Sequence, residues 1–158
     1  MAHGSASAAR PAAPAWHRLA LPTDRRRALW ASSRDRTGWR ACGWDWDAVA
    51  VTPIAVGLDA LAAMHLGTAS GHPVLADRIR DVLYILVPPG TGGAAAGLPG
   101  VRVLSRGSQL LFPETEHGTA VTHWISPPRP SPRLVRTDRL AAHLRALTGA
   151  AHEEAAAS

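Results

Sequence analysis

The sequence predicts a single α+β domain, in which a mostly antiparallel sheet carries helices on one side. The chain has 158 residues, 46% of them hydrophobic, which allows one domain with a sizeable core. Short apolar, strand-like runs lie mainly in the middle of the chain, and helical periodicities lie before, between and after them. That order is typical of α+β proteins. We assign the domain to residues 16–147, between a disordered leader at 1–15 and a disordered tail at 148–158.

The first elements are two helices on either side of a strand. We expect a short helix over Asp24–Arg34, whose first acidic residue suits the helix dipole. The apolar, β-branched run Ala48–Val51 predicts a buried strand. Residues 56–66 then place leucines at helical spacing, and Gly67 marks a stop.

The middle of the chain is rich in predicted strands. They cover residues 72–77, Val82–Val87, Val101–Leu104, Gln109–Phe112 and Val121–Ile125. The Gly- and Pro-rich segment Pro88–Gly100 predicts a flexible loop. It is not a phosphate-binding loop, because no Gly-Lys-Ser/Thr follows and a strand, not a helix, comes next.

The segment "GVRVLSRGSQLLFP" predicts a hairpin that turns at Arg106 and Gly107. A Pro-rich connector follows the last strand. An amphipathic helix over 137–147 completes the domain.

The basic residues are the strongest functional signal in the composition. All 17 are arginine, and the net charge is +5. Such a charge favours phosphate-bearing partners, and tryptophans such as Trp30 or Trp39 are available to stack bases. An arginine-only composition rich in Ala, Gly and Pro also indicates a GC-rich genome, such as that of an actinobacterium, with arginines that merely solvate the surface. The candidate nucleic-acid-binding residues are Arg78, Arg80, Arg102, Arg106, Arg129 and Arg133.

Other features indicate the cellular setting. No apolar run reaches the length that spans a bilayer, and the N-terminus does not have the pattern of a signal peptide. The single cysteine, Cys42, excludes an internal disulfide. We therefore expect a cytoplasmic protein that has no membrane partner.

The sequence "WDWD" offers one candidate metal site. If Asp45 and Asp47 lie on a strand, their carboxylates share one face, as in an Asp-x-Asp pair that binds Mg²⁺ or Mn²⁺. Such a set usually needs a third oxygen ligand, and the alternative is a strand entry with aromatic packing. We expect no cofactor, with Mg²⁺ or Mn²⁺ as the alternative.

The histidines do not have the spacing of metal ligands, and the sequence contains no recognisable pair of catalytic nucleophile and base. His123 and Trp124 are adjacent in a predicted strand, so their side chains point to opposite faces. We expect at most one of them to face the core.

With the strands placed, a family resemblance emerges. The pieces are "DAVAVTPIAVGLDAL", "HPVLAD", "DVLYILVPPG", "RGSQLLFP" and "VTHWISPP". In this order, from about Trp46 to Pro128, the chain resembles the N-terminal domain of bifunctional DNA primase/polymerases, in the shortened form common in actinobacteria. The resemblance implies an RRM-like α+β fold and catalysis by acidic ligands that hold two metal ions.

The same resemblance implies positions for the catalytic groups. An Asp-x-Asp pair falls at Ala50 and Thr52, a phosphate-contacting histidine at Val82, and a third acid near Arg102. None of the three groups is kept. The resemblance therefore implies the scaffold, while the residues argue against the reaction.

Three hypotheses follow. The first is a catalytically inactive primase/polymerase-like domain that binds nucleic acid or regulates. The second is an active nucleotidyltransferase that uses Asp45, Asp47 and either Glu114 or Glu116. The third is a protein-interaction adaptor whose tryptophans serve as anchors.

Overall fold

The computed structural model describes residues 14–32 and 37–157. The predicted α+β class with mainly antiparallel sheet is confirmed: the described chain has four α-helices and two antiparallel sheets. Nearly all of the expected leader, residues 1–13, lies outside the described residues.

The main sheet has five strands, and every neighbouring pair is antiparallel. The order across the sheet is β5-β2-β4-β3-β7. A separate two-stranded ribbon pairs β1 with β6. The strands are β1 (Thr37–Ala41), β2 (Asp47–Val51), β3 (Val74–Asp77), β4 (Val82–Val87), β5 (Val101–Leu104), β6 (Gln109–Pro113) and β7 (Thr122–Ser126).

The helices are α1 (Ala15–Ala20), α2 (Asp24–Ser32), α3 (Ile54–Ala63) and α4 (Thr137–Ala157). Short 3₁₀ turns lie at Thr68–Ser70 and Gly92–Ala95. Helix α4 packs against α3 and against the second of these turns, and α1 packs against α3.

The connections between the strands explain the RRM-like order. Strands β2 and β3 are joined by α3 and lie on either side of β4, which is a split β-α-β unit. Strands β4 and β5 likewise lie on either side of β2, but the turn Gly92–Ala95 replaces a helix between them. Helix α4 therefore supplies the second helix of that face from the end of the chain.

Apolar side chains bury both faces of the sheet. On one face, Val49 and Ile85 pack with residues of the helices, among them Leu61 and Leu140. On the other face, Ala50, Leu86 and Trp124 pack with Leu110 of the ribbon. Alternation along each strand sends successive side chains to opposite layers, so even the continuous apolar run of β4 serves two cores.

The hairpin prediction was wrong. Strand β5 pairs with β2 in the main sheet, whereas β6 pairs with β1 in the ribbon. The turn itself is present, because Ser108 donates its backbone N–H to the carbonyl of Ser105 and Gly107 has φ +91°. The turn therefore transfers the chain from one sheet to the other. Strand β1, which sequence reasoning missed, provides the partner that decides this pairing.

Two other expectations differ from the structure. His123 and Trp124 point to opposite faces, yet both are buried, because α2 and the ribbon each cover one face of β7. Helical backbone also continues past Leu147 to Ala157. The added segment is rich in alanine and glutamate, which favour helix.

Candidate functional site: a groove beside the β-ribbon

A groove of about 520 Å³ lies between the ribbon and the main sheet. Its walls come from both ribbon strands, from the β3–β4 turn and from the start of β7. It continues into a neighbouring pocket of about 340 Å³ at the end of β2. We call the two together the ribbon groove; its candidate functional side chains are Trp39, Ile79, Arg80, Tyr84, Arg102 and Val121.

Asp77 positions Arg80 at the groove. The Asp77 carboxylate is 6% exposed and accepts the backbone N–H groups of Ile79 (3.1 Å) and Arg80 (3.0 Å). The guanidinium of Arg80 also donates to it at 3.2 Å. These bonds fix the turn between β3 and β4. The side chain of Arg80 is 74% exposed, so its remaining N–H donors face solvent.

Arg102 and Tyr84 flank Ala50 on the sheet. Ala50 lies opposite Tyr84 on one side and opposite Arg102 on the other. The guanidinium of Arg102 lies close enough to Tyr84 to act on its hydroxyl. Burial, and next the charge of Asp77, raise the pKa of Tyr84, so its hydroxyl is protonated and available as a donor.

The other end of the groove is apolar and exposed. Trp39 is 65% exposed, Ile79 77% and Val121 41%. These are three of the five large hydrophobic side chains that stand out as exposed in the described part of the chain. A cluster of this kind beside arginines is the composition of a binding surface.

The four positions that the family resemblance marks lie together. Ala50, Thr52, Val82 and Arg102 line one pocket of the ribbon groove. Three of them have no group that binds a divalent ion strongly, and the fourth is a cation. Among the described residues, no group of three or more His, Cys, Asp or Glu side chains could hold a metal ion.

The alternative metal ligands lie elsewhere and apart. Asp47 is 1% exposed, and its Oδ2 accepts the backbone N–H groups of Gly90 and Gly92, each at 3.1 Å. Asp45 is exposed, precedes β2 and lines a different pocket. The shared face that an Asp-x-Asp site would need does not form, because β2 begins only at Asp47 and Asp45 precedes the strand. Glu114 and Glu116 line a further pocket, beyond the end of β6.

Asp47 also holds the loop that follows β4. We expected a flexible segment over Pro88–Gly100, but Gly92 and Ala95 are buried. A Cβ added at Gly92 would lie 2.3 Å from Val103, so the loop packs closely against β5. The carboxylate of Asp47 is therefore a structural anchor.

The predicted arginine surface divides between several faces. Of the six candidates, only Arg80 and Arg102 line the ribbon groove. Arg78 donates to the carbonyl of Ala20 on the helix side of the sheet. Arg106 lies in the turn before β6, with its guanidinium 4.0 Å from the ring centroid of Trp44.

The last two candidates lie near the end of β7. Arg129 donates to the carbonyl of Ala69 at 3.0 Å. The carbonyl of Arg133 accepts from Nδ1 of His72 at 2.7 Å, and its side chain is exposed. Sequence reasoning missed Tyr84. The available signal was a single polar side chain within the otherwise apolar run of the central strand β4.

No protein-family model, curated protein or solved structure matches this chain significantly. The relation to primase/polymerase domains therefore stays a prediction. In the part of the chain that the structure describes, no helix combines the length and the apolar character that crossing a bilayer requires.

Proposed function

We propose that this protein is a single-stranded nucleic-acid-binding module, built on a primase/polymerase-like scaffold that does not transfer nucleotides. One observation carries the proposal: an exposed tryptophan, Trp39, lines the same groove as Arg80 and Arg102. Proteins that bind single strands combine aromatic platforms for the bases with cations for the phosphates. We place this activity in the cytoplasm.

The groove suits a single strand better than a duplex. Trp39 offers an exposed ring on which an unpaired base can stack. Tyr84 is only 6% exposed, so its ring has too little free surface for a base to stack on it. In this proposal its hydroxyl instead donates a hydrogen bond to the bound strand from the bottom of the groove. The site is also the sheet face opposite the α3 and α4 layer, the face that RRM sheets use for RNA.

The side chains at the four positions that the resemblance marks support the proposal that the protein does not catalyse nucleotidyl transfer. Two-metal transfer needs carboxylates that hold the ions beside the reacting oxygens. Alanine, threonine and valine stand at three of these positions, and the guanidinium of Arg102 would repel metal ions at the fourth. The same guanidinium attracts a phosphate, so the substitution favours binding.

The test measures the binding of a fluorescent single-stranded oligonucleotide of about 12 nucleotides by anisotropy. We expect Trp39→Ala and Arg102→Gln each to weaken binding about fivefold or more, from a loss of 1–3 kcal/mol per stacked base and a similar loss per charged contact. Arg102→Gln should also reduce the slope of log affinity against log salt by about 0.7.

Matched controls come from the same chain. Trp44 is 65% exposed, like Trp39, but lies outside the groove, so Trp44→Ala should bind normally. Arg139→Gln on α4 removes the same charge as Arg102→Gln and should leave the affinity within about twofold, as a distant surface charge does. Equal losses in Arg139→Gln and Arg102→Gln would reduce the effect to net charge. Equal losses in Trp44→Ala and Trp39→Ala would show that the groove tryptophan has no special role. Either result would overturn the assignment of the groove.

A protein-interaction adaptor is the second candidate, and the exposed trio Trp39, Ile79 and Val121 favours it. The two are separated by the oligonucleotide itself. Absence of binding at low salt would exclude the nucleic-acid proposal and leave the apolar end of the groove as a protein-docking surface.

A further inference from the structure

A second pocket, of about 350 Å³, lies beside the end of strand β7. It shares no lining residue with the ribbon groove. Two arginines from distant parts of the chain, Arg26 of α2 and Arg129 after β7, both line it. Leu19, Leu29 and Ile125 contribute apolar surface.

Arg26 has an incompletely satisfied guanidinium. Its Nη1 is buried without a hydrogen-bond partner. Burial, and next the charge of Arg78, lower the pKa of Arg26. Among the described residues, no carboxylate forms an ion pair with it. Arg26 also lines the pocket, where its positive charge has no carboxylate partner among the described residues and therefore favours an anion.

Arg129 is held over the same pocket. One of its N–H groups donates to the carbonyl of Ala69 at 3.0 Å. Its side chain crosses Gly71, where an added Cβ would lie 2.9 Å from Cδ of Arg129, and where φ is +80°. Gly71 thus makes room for the arginine. The guanidinium has further donors, and a fixed guanidinium loses less side-chain entropy on binding.

The rim of the pocket contains one group of opposite charge. Glu116 and His117 are both exposed there. The carboxylate of Glu116 forms no ion pair with Arg26 or Arg129 in the described part of the chain. Its solvent exposure screens its repulsion of a bound anion. Thr68 and Ser126 add hydroxyl donors to the lining.

We propose that this pocket binds a small organic anion, in which an oxyanion group is attached to a compact apolar body. Guanidinium groups bind carboxylate and phosphate oxygens through paired N–H donors, which suits Arg26 and Arg129. The leucines and Ile125 would take the apolar body. A volume of about 350 Å³ is at the small end of ligand sites, which fits one ring and its charged substituent.

Isothermal titration calorimetry tests this with phenyl phosphate, benzoate and inorganic phosphate, at an ionic strength held constant with chloride. We expect saturable binding of phenyl phosphate or benzoate, and the tighter of the two identifies the oxyanion. Inorganic phosphate should bind more weakly than phenyl phosphate, because it lacks the apolar body. No saturable binding of either aromatic anion, or equal binding of the two phosphates, would overturn the proposal.

Variants locate the binding. Arg26→Gln and Arg129→Gln should each weaken the binding of the better probe about tenfold or more, the effect of one charged hydrogen bond. Arg139→Gln is the control, since it removes an equal charge from α4. Arg129 is exposed, so Arg129→Gln tests the site even if Arg26→Gln disturbs the packing of α2. Unchanged affinity in Arg129→Gln would count against the site.

Discussion

The ring of Trp30 packs on the ring of His123, with centroids 4.7 Å apart and planes inclined by 37°. The contact joins α2 to edge strand β7. His123 is fully buried, and neither of its ring nitrogens has a hydrogen-bond partner in the described structure. Two guanidinium groups, Arg78 and Arg26, are near enough to act on its charge. An aromatic contact between two elements therefore depends on a histidine that stays neutral.

This relationship predicts an acid-sensitive fold. Burial, and next Arg78, lower the pKa of His123 from 6.5 to about 4. The unfolded chain takes up the proton first, so stability is complete above pH 6.5 and falls as the pH drops toward 4. The loss is roughly 3 kcal/mol over this range. Urea unfolding between these pH values measures it. His123→Phe, which keeps a ring against Trp30, should lose much of this pH dependence; an unchanged slope would contradict the assignment.

Asp47 should matter for stability. Asp47→Ala leaves the backbone N–H groups of Gly90 and Gly92 without their acceptor, at a cost of about 2 kcal/mol or more. Asp47→Asn keeps one acceptor oxygen and should lose less. Hydrogen exchange at these two amides, with urea unfolding, measures the effect. Asp45→Ala is the control, and a loss as large as that of Asp47→Ala would show that burial does not distinguish the two carboxylates.

Two glycines with the same backbone angle should differ in their tolerance of alanine. Gly43 and Gly107 both have φ +91°. An added Cβ at Gly43 would lie 2.5 Å from the backbone nitrogen of Arg106, whereas at Gly107 it meets open space. We expect Gly107→Ala to cost about 1 kcal/mol from backbone strain alone, and Gly43→Ala to cost clearly more. Thermal unfolding of the two variants compares their stabilities. Equal losses of stability would mean that Arg106 moves away from the added Cβ at Gly43 at no energetic cost.

The buried thiol should be unreactive in the folded protein. Cys42 is fully buried, and burial, followed by the charge of Asp47, raises its pKa to about 11. The nucleophilic thiolate is therefore scarce at neutral pH. Iodoacetamide should alkylate Cys42 slowly in native buffer and rapidly after denaturation. Equal rates in the two conditions would place the thiol at the surface.

Primer synthesis and primer extension with Mg²⁺ or Mn²⁺ should yield no product, because the four positions that the resemblance marks have no acidic ligand. A metal-dependent product that disappears in Asp45→Ala would restore the active-enzyme hypothesis. Retention of that product in Asp45→Ala would point to other ligands and would equally contradict our expectation.

The fold was more predictable than the site. Short apolar runs located β2 and β4 to within a residue, because a buried strand must be mostly apolar along its length. Strand β1 was missed because "TGWRA" has no such run: its residues are half-buried or exposed. The burial of Trp16 was missed too, since its partners are distant in the chain: it packs in the core beside the helices, and its indole donates to the carbonyl of Leu66, 50 residues away.

By itself, the sequence determined the α+β class, the approximate limits of most strands, and the non-acidic residue types at the four positions that the resemblance marks. These properties follow from local periodicity and residue type. Only the tertiary structure decided that β6 leaves the main sheet for β1, that Asp47 anchors a loop, and that Arg80, Arg102 and Trp39 share a groove. The reason is physical: pairing and convergence depend on which distant segments compete for one sheet edge or one packed layer, and no local pattern encodes that competition.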